Sequence, residues 1–140
     1  GYPKHIDPPT LTYPSANLAK LSAEAHARDL NDAGGTVWVI PMVGLTHSMG
    51  KVVGPGDWVL IDRKAPYEER KEGEIIAYVR SGPDWGTNTS EFSWTVHRIV
   101  VKDKDGLLLS GDGNSRSEAR SRVTAATYRG LVVAIYRVRA

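Results

Sequence analysis

From Thr36 to the C-terminus the apolar residues come only in short runs, and Gly, Pro and Asp interrupt them at close intervals. The longest runs, Val37 to Val43 and Leu131 to Tyr136, are strand-length, whereas a bilayer-spanning helix needs about 20 consecutive apolar residues. They are rich in Val, Ile, Trp and Tyr, side chains that suit a pleated, half-buried surface. Strands are expected near 36–43, 57–62, 74–80, 92–102, 107–110, 122–127 and 130–138. The charges of 63–74 alternate in sign around Pro66, and 81–91 hold Trp85 among polar residues, so both read as surface loops.

Ahead of these runs the pattern changes to a helical one. Ser15 or Asn17 can cap a helix that continues to about Asp32, with Leu18, Leu21, Ala25 and Leu30 near one face and Gly34-Gly35 as its stop. Residues 1–14 contain Pro3, Pro8, Pro9 and Pro14, which disfavour helix. They are expected to form an extended arm outside the core, and 15–140 a single β-rich domain. A chain of 140 residues, 41% of them hydrophobic, can enclose one core. The expected fold class is therefore mainly β, a barrel-like domain with one N-terminal helix.

Composition excludes several chemistries. The chain has no cysteine, hence no disulfide, no thiolate zinc site and no cysteine nucleophile. His5, His26, His47 and His97 show no close ligand spacing, so neither metal nor cofactor is expected. The basic residues are dispersed and the net charge is only +2, which gives no reason to expect a nucleic-acid partner.

Two places carry groups suited to nucleophilic chemistry. Gly44-Leu45-Thr46-His47-Ser48-Met49-Gly50 follows a predicted strand, where a serine between glycines can face a cleft. Thr95-Val96-His97-Arg98-Ile99-Val100-Val101 reads as a strand, and alternation puts His97 on one face and Arg98 on the other. His47 adjoins Ser48, but neighbouring side chains in extended backbone diverge, so it is a rim residue rather than a base.

The order of blocks resembles the signal peptidase and LexA-like serine proteases. Ser48-Met49 is followed by Gly56-Asp57 at the family's separation, then by Gly73-Glu74-Ile75-Ile76, Val96-His97-Arg98-Ile99-Val100, Ser110-Gly111-Asp112-Gly113-Asn114 and Gly130-Leu131-Val132-Val133. The resemblance covers roughly residues 36–136 and is nearest the archaeal and endoplasmic reticulum type, in which histidine replaces lysine as base. It implies Ser48 as nucleophile, His97 as general base and Asp112 as the acid that orients the imidazole, with Thr46 and Met49 at the oxyanion or pocket wall. Glu118 competes with Asp112, because this chain inserts Gly113 into the acidic turn and has Glu where the family has a later Asp. Lys51 stands where proline is usual.

The resemblance also implies a polypeptide substrate cut after small residues, and an extracytoplasmic or membrane-associated location. The chain begins at Gly1 rather than Met, and a segment removed ahead of it could have been a signal peptide or a membrane anchor. Two other functions compete. One is a catalytically inactive peptide-binding module on the same fold. The other is a LexA-like regulator cutting its own chain at Ala33-Gly34, but that bond lies only 14 residues before Ser48, most of them strand, and no helix-turn-helix precedes it.

Overall fold

The computed structural model describes residues 4–42, 49–79, 94–113 and 122–139. Its strands are β1 (Thr10–Tyr13), β2 (Val37–Pro41), β3 (Trp58–Asp62), β4 (Ile75–Tyr78), β5 (Thr95–Asp103), β6 (Gly106–Ser110) and β7 (Tyr128–Val138), with one helix, α1 (Ala16–Asp32), between β1 and β2. They form one sheet in the order β2-β3-β7-β4-β5-β6, every neighbour antiparallel. The eleven-residue β7 is the hub: β3 lines one side of it, while β4 and β1 divide the other, β4 antiparallel at Tyr128–Leu131 and β1 parallel at Ile135–Val138. Among the described residues the fold is thus mainly β with one α-helix.

Three expectations need correction. Among the described residues β2 and β6 do not pair with each other, so the sheet is open rather than barrel-like. The outer side of β6 is already taken by Val123, whose N–H and C=O exchange hydrogen bonds with Leu107 at 2.9 and 2.8 Å. That bridge is all that remains of the strand expected at 122–127, where Ala125–Thr127 instead make a turn.

The second correction concerns the arm, which is extended but docked. Ile135 N–H donates to Pro9 O, Arg139 N–H to Tyr13 O and Ile6 N–H to Gly73 O. β1 fills the half-edge of β7 that the four-residue β4 is too short to cover. The arm is therefore part of the sheet.

The third concerns α1. Ser15 caps it, accepting from Leu18 N–H at 3.2 Å, and the chain leaves it through Gly34 at φ +100°. Its buried face, however, is Ala19, Ala23 and Ala27, while Leu18, Leu21 and Leu30 are about half exposed. The alanines pack on Val37, Leu60, Ala134 and Tyr136. Small side chains let a helix lie close to a sheet, and enlarging one of them would overpack the contact, at a cost of about 1–3 kcal/mol. Beyond the helix, the Asn31 side chain donates to Val37 O at 3.0 Å and accepts from Val37 N–H at 2.7 Å, tying the helix end to the edge strand.

The sheet buries both faces of β4. Ile75 and Ala77 join Ile40, Val59, Ile61, Val96 and Ile135 in the main core, whereas Ile76 and Tyr78 pack with Ile99, Leu107, Leu109 and Val123 on the opposite face. A strand buried on both sides reads as a continuous apolar run, which is what Ile75-Ile76-Ala77-Tyr78 presents.

Candidate active site

β5 carries two deeply buried side chains that can bear charge. His97 and Arg98 are 2% and 1% exposed. Being consecutive in a strand they project to opposite faces, and each finds its own partners there.

On one face, His97 lies across from Ile76, and its Nδ1 is 2.9 Å from the Tyr78 hydroxyl, the two rings being tilted by 50°. A proton on Nδ1 given to the Tyr78 oxygen makes Nε2 the basic nitrogen; the reverse sense of the bond makes Nδ1 the acceptor. Tyr78 is the neighbour that sequence reasoning missed. Its strand was foreseen, but the pairing of β4 with β5 that brings it to His97 is non-local.

On the other face, Arg98 donates from Nε to Asp112 Oδ1 at 2.8 Å, from Nη2 to Asp112 Oδ2 at 2.7 Å, and from Nη1 to Gly73 O at 2.7 Å. Asp7, on the arm, also lies 2.7 Å from Nη2. Burial works against the guanidinium charge, but the hydrogen bonds and charges of Asp112 and Asp7 outweigh it, so Arg98 is held protonated more firmly than usual.

Asp112, which the resemblance makes the acid beside His97, is placed at Arg98. Among the described residues no hydrogen bond joins it to His97; both carboxylate oxygens go to Arg98, because the turn after β6 comes up on Arg98's face of the strand. Ser48, Thr46, His47 and the competing acid Glu118 lie outside the described residues. Met49 is wholly buried in the core cluster that contains Val96, the cluster on the side of β5 away from His97. Lys51 is exposed.

Three blocks distant in sequence nevertheless converge. Gly50, at φ +61°, sits so close to the turn after β6 that a Cβ there would lie 3.7 Å from Gly113 N and 3.9 Å from Asp112 C. Asp112 is tied to Arg98, and Arg98 adjoins His97. The peptide following Ser48-Met49, the acidic turn and the histidine strand thus share one end of the sheet.

Among the described residues, no strand pairs with the outer edge of β2. A groove of about 550 Å³ runs along β2, lined by Lys20, Trp38, Ile40, Pro41 and Trp58. Trp38 stacks on Trp94 with ring centres 5.4 Å apart, and the Arg63 guanidinium lies 3.6 Å above Trp38. Among the described residues no group of three or more His, Asp or Glu side chains is arranged to hold a metal ion, and no helix is long and apolar enough to cross a membrane. No protein-family model, curated protein or solved structure matches the chain.

Proposed function

We propose that the protein is a serine peptidase of the signal peptidase-like type, acting on an extended polypeptide laid beside the sheet edge. The observation that carries this reading is that Gly50, just past Ser48-Met49, lies against the Asp112-Gly113 turn, whose carboxylate is bound by Arg98 next to His97 in β5, while Ser48-Met49 and Gly56-Asp57 keep the separation that the resemblance gives. Ser48 Oγ attacks the scissile carbonyl as its proton passes to His97 Nε2. The imidazolium returns that proton to the leaving amine, and water then hydrolyses the acyl-enzyme. In this scheme Nδ1–H is donated to Tyr78, which fixes the tautomer. The Ser48 N–H serves the developing oxyanion, with Thr46 as a second donor; loss of one such donor costs about 3 kcal/mol of transition-state stabilisation.

A second reading, an inactive peptide-binding module, is favoured by one specific observation: Asp112, the acid expected to serve His97, is committed to Arg98. One experiment separates the two. Hydrolysis of a peptide with small residues before the cut is expected to vanish in Ser48→Ala and in His97→Ala, with the double variant scarcely worse, since nucleophile and base act as one unit. Full activity in Ser48→Ala, or none in the wild type, would sink the peptidase reading; a peptide bound but not cut would favour the module.

A further inference from the structure

Asp57, at the foot of β3, is only 5% exposed. A carboxylate so deeply buried is strongly disfavoured unless it is paired and hydrogen-bonded. Its partner is Arg137, near the end of β7: Nη2 donates to Asp57 Oδ2 at 2.7 Å, and Nε to Oδ1 and Oδ2 at 3.1 and 3.3 Å. The pair does more than neutralise itself. Arg137 Nη2 also donates to Val52 O at 2.9 Å, and Asp57 Oδ2 also accepts from Gly54 N–H at 2.9 Å. One ion pair therefore grips a carbonyl and an amide of the segment that follows Ser48.

The same segment is held from the core side, where Met49 and Val53 are both fully buried, and Val52 N–H closes a turn onto Met49 O at 3.2 Å. The antiparallel strands β2 and β3 need only a turn of about 2–5 residues to connect them. Here the connection is much longer, and its second half is anchored at Met49, Val52, Val53 and Gly54 by a side chain from the far end of the chain. A lysine could not do the same, because only a guanidinium offers several donors in a fixed fork.

We infer that Arg137, acting through Asp57, is a positioning residue for the site: it fixes the backbone at Val52 and Gly54, in the segment that follows Ser48-Met49 along the chain. The inference rests on Ser48 being the nucleophile. A misplacement of about 1 Å in reacting groups can cost about a hundredfold in rate, and Arg137 has the means to prevent one without touching substrate.

The test is kinetic. Wild type, Arg137→Met, Arg137→Lys and Asp57→Asn are assayed for kcat and KM on a peptide with small residues before the cut, with rates normalised to the folded fraction from circular dichroism. Arg137→Met and Asp57→Asn should lower kcat about 30- to 100-fold with KM within about threefold, and Arg137→Lys, which keeps the charge against Asp57 but gives up Val52, should recover part of that loss. An unchanged kcat per folded molecule, with only the melting temperature reduced, would overturn the inference and leave the peptidase reading standing. An inert wild type overturns both, and is recognised by the failure of the reference protein itself. Should Arg137→Met not fold, Arg137→Lys decides the matter, since its kcat should still lie below that of the wild type.

Discussion

The Arg98 guanidinium meets both carboxylate oxygens of Asp112, at 2.8 and 2.7 Å, on the face of β5 turned away from His97. Removing one member of a buried ion pair leaves the other uncompensated, typically at about 3–5 kcal/mol. Since Arg98 would keep Gly73 O and Asp7, Asp112→Ala should cost about 3 kcal/mol, roughly 10 °C in melting temperature. Asp7→Ala, at a carboxylate about half exposed, should cost no more than about 1 kcal/mol. Equal losses in thermal melts would show that Asp112 is no more important to Arg98 than a surface partner.

Tyr78→Phe removes the hydroxyl that stands at His97 Nδ1. The loss of that bond should cost about 1 kcal/mol of stability. Peptidase activity should fall at least about tenfold, because a base in the wrong tautomer cannot accept the serine proton. Activity equal to wild type would mean that another group orients the ring.

Deleting residues 1–14 strips β1 from β7 and takes Ile6, Asp7 and Pro9 from their partners. The truncated protein should melt at least about 10 °C lower, since several backbone hydrogen bonds of about 1 kcal/mol each go with the arm. An unchanged melting temperature would show that the arm contributes nothing to the sheet.

Alkaline pH offers an independent test of the outer core. Tyr128, whose hydroxyl donates to Ala65 O at 2.6 Å, has its pKa pushed up to about 12, chiefly by burial, with Arg70 pulling it down and Asp62, Glu74 and Glu68 adding to the rise. The folded state thus holds the phenol proton more tightly than the unfolded chain does. The resulting stability is complete below about pH 10 and is lost as pH climbs through about 12, on the order of 2 kcal/mol in all. Burial raises Tyr136 in the same sense. Urea midpoints measured from pH 8 to 12 should fall, and fall less steeply in Tyr128→Phe; identical slopes would refute the assignment.

Much of the fold was legible because it rests on local signals. The apolar runs gave β2, β3, β4, β5, β6 and most of β7, and Ser15 and Gly34 marked the ends of α1. What was not legible depends on choices between equally good local patterns. Both the leucine stripe and the Ala19, Ala23, Ala27 stripe have helical spacing; the alanines face the sheet because close approach to Leu60 and Ala134 leaves room only for small side chains. Thr10–Tyr13 is a strand only because β7 has a free half-edge. In the site, alternation correctly put His97 and Arg98 on opposite faces, but nothing local could assign Tyr78 to the first, Asp112 to the second, or Arg137 to Asp57 eighty residues away. An arginine near the end of a terminal strand looks like a solvent contact until its partner is seen.

Asn31 has a consequence for how the molecule behaves in company. Its amide meets Val37 just as one residue of a neighbouring strand would, and backbone groups alternate in direction along β2, so the outward-facing residues beyond Val37 are Val39 and Pro41. Proline has no N–H. Among the described residues of β2, a strand from another copy would therefore find one donor to pair with, Val39 N–H, too few to build a ladder. The edge can receive a short visiting segment and release it, yet it cannot template the chain-upon-chain stacking by which exposed strands grow into fibres.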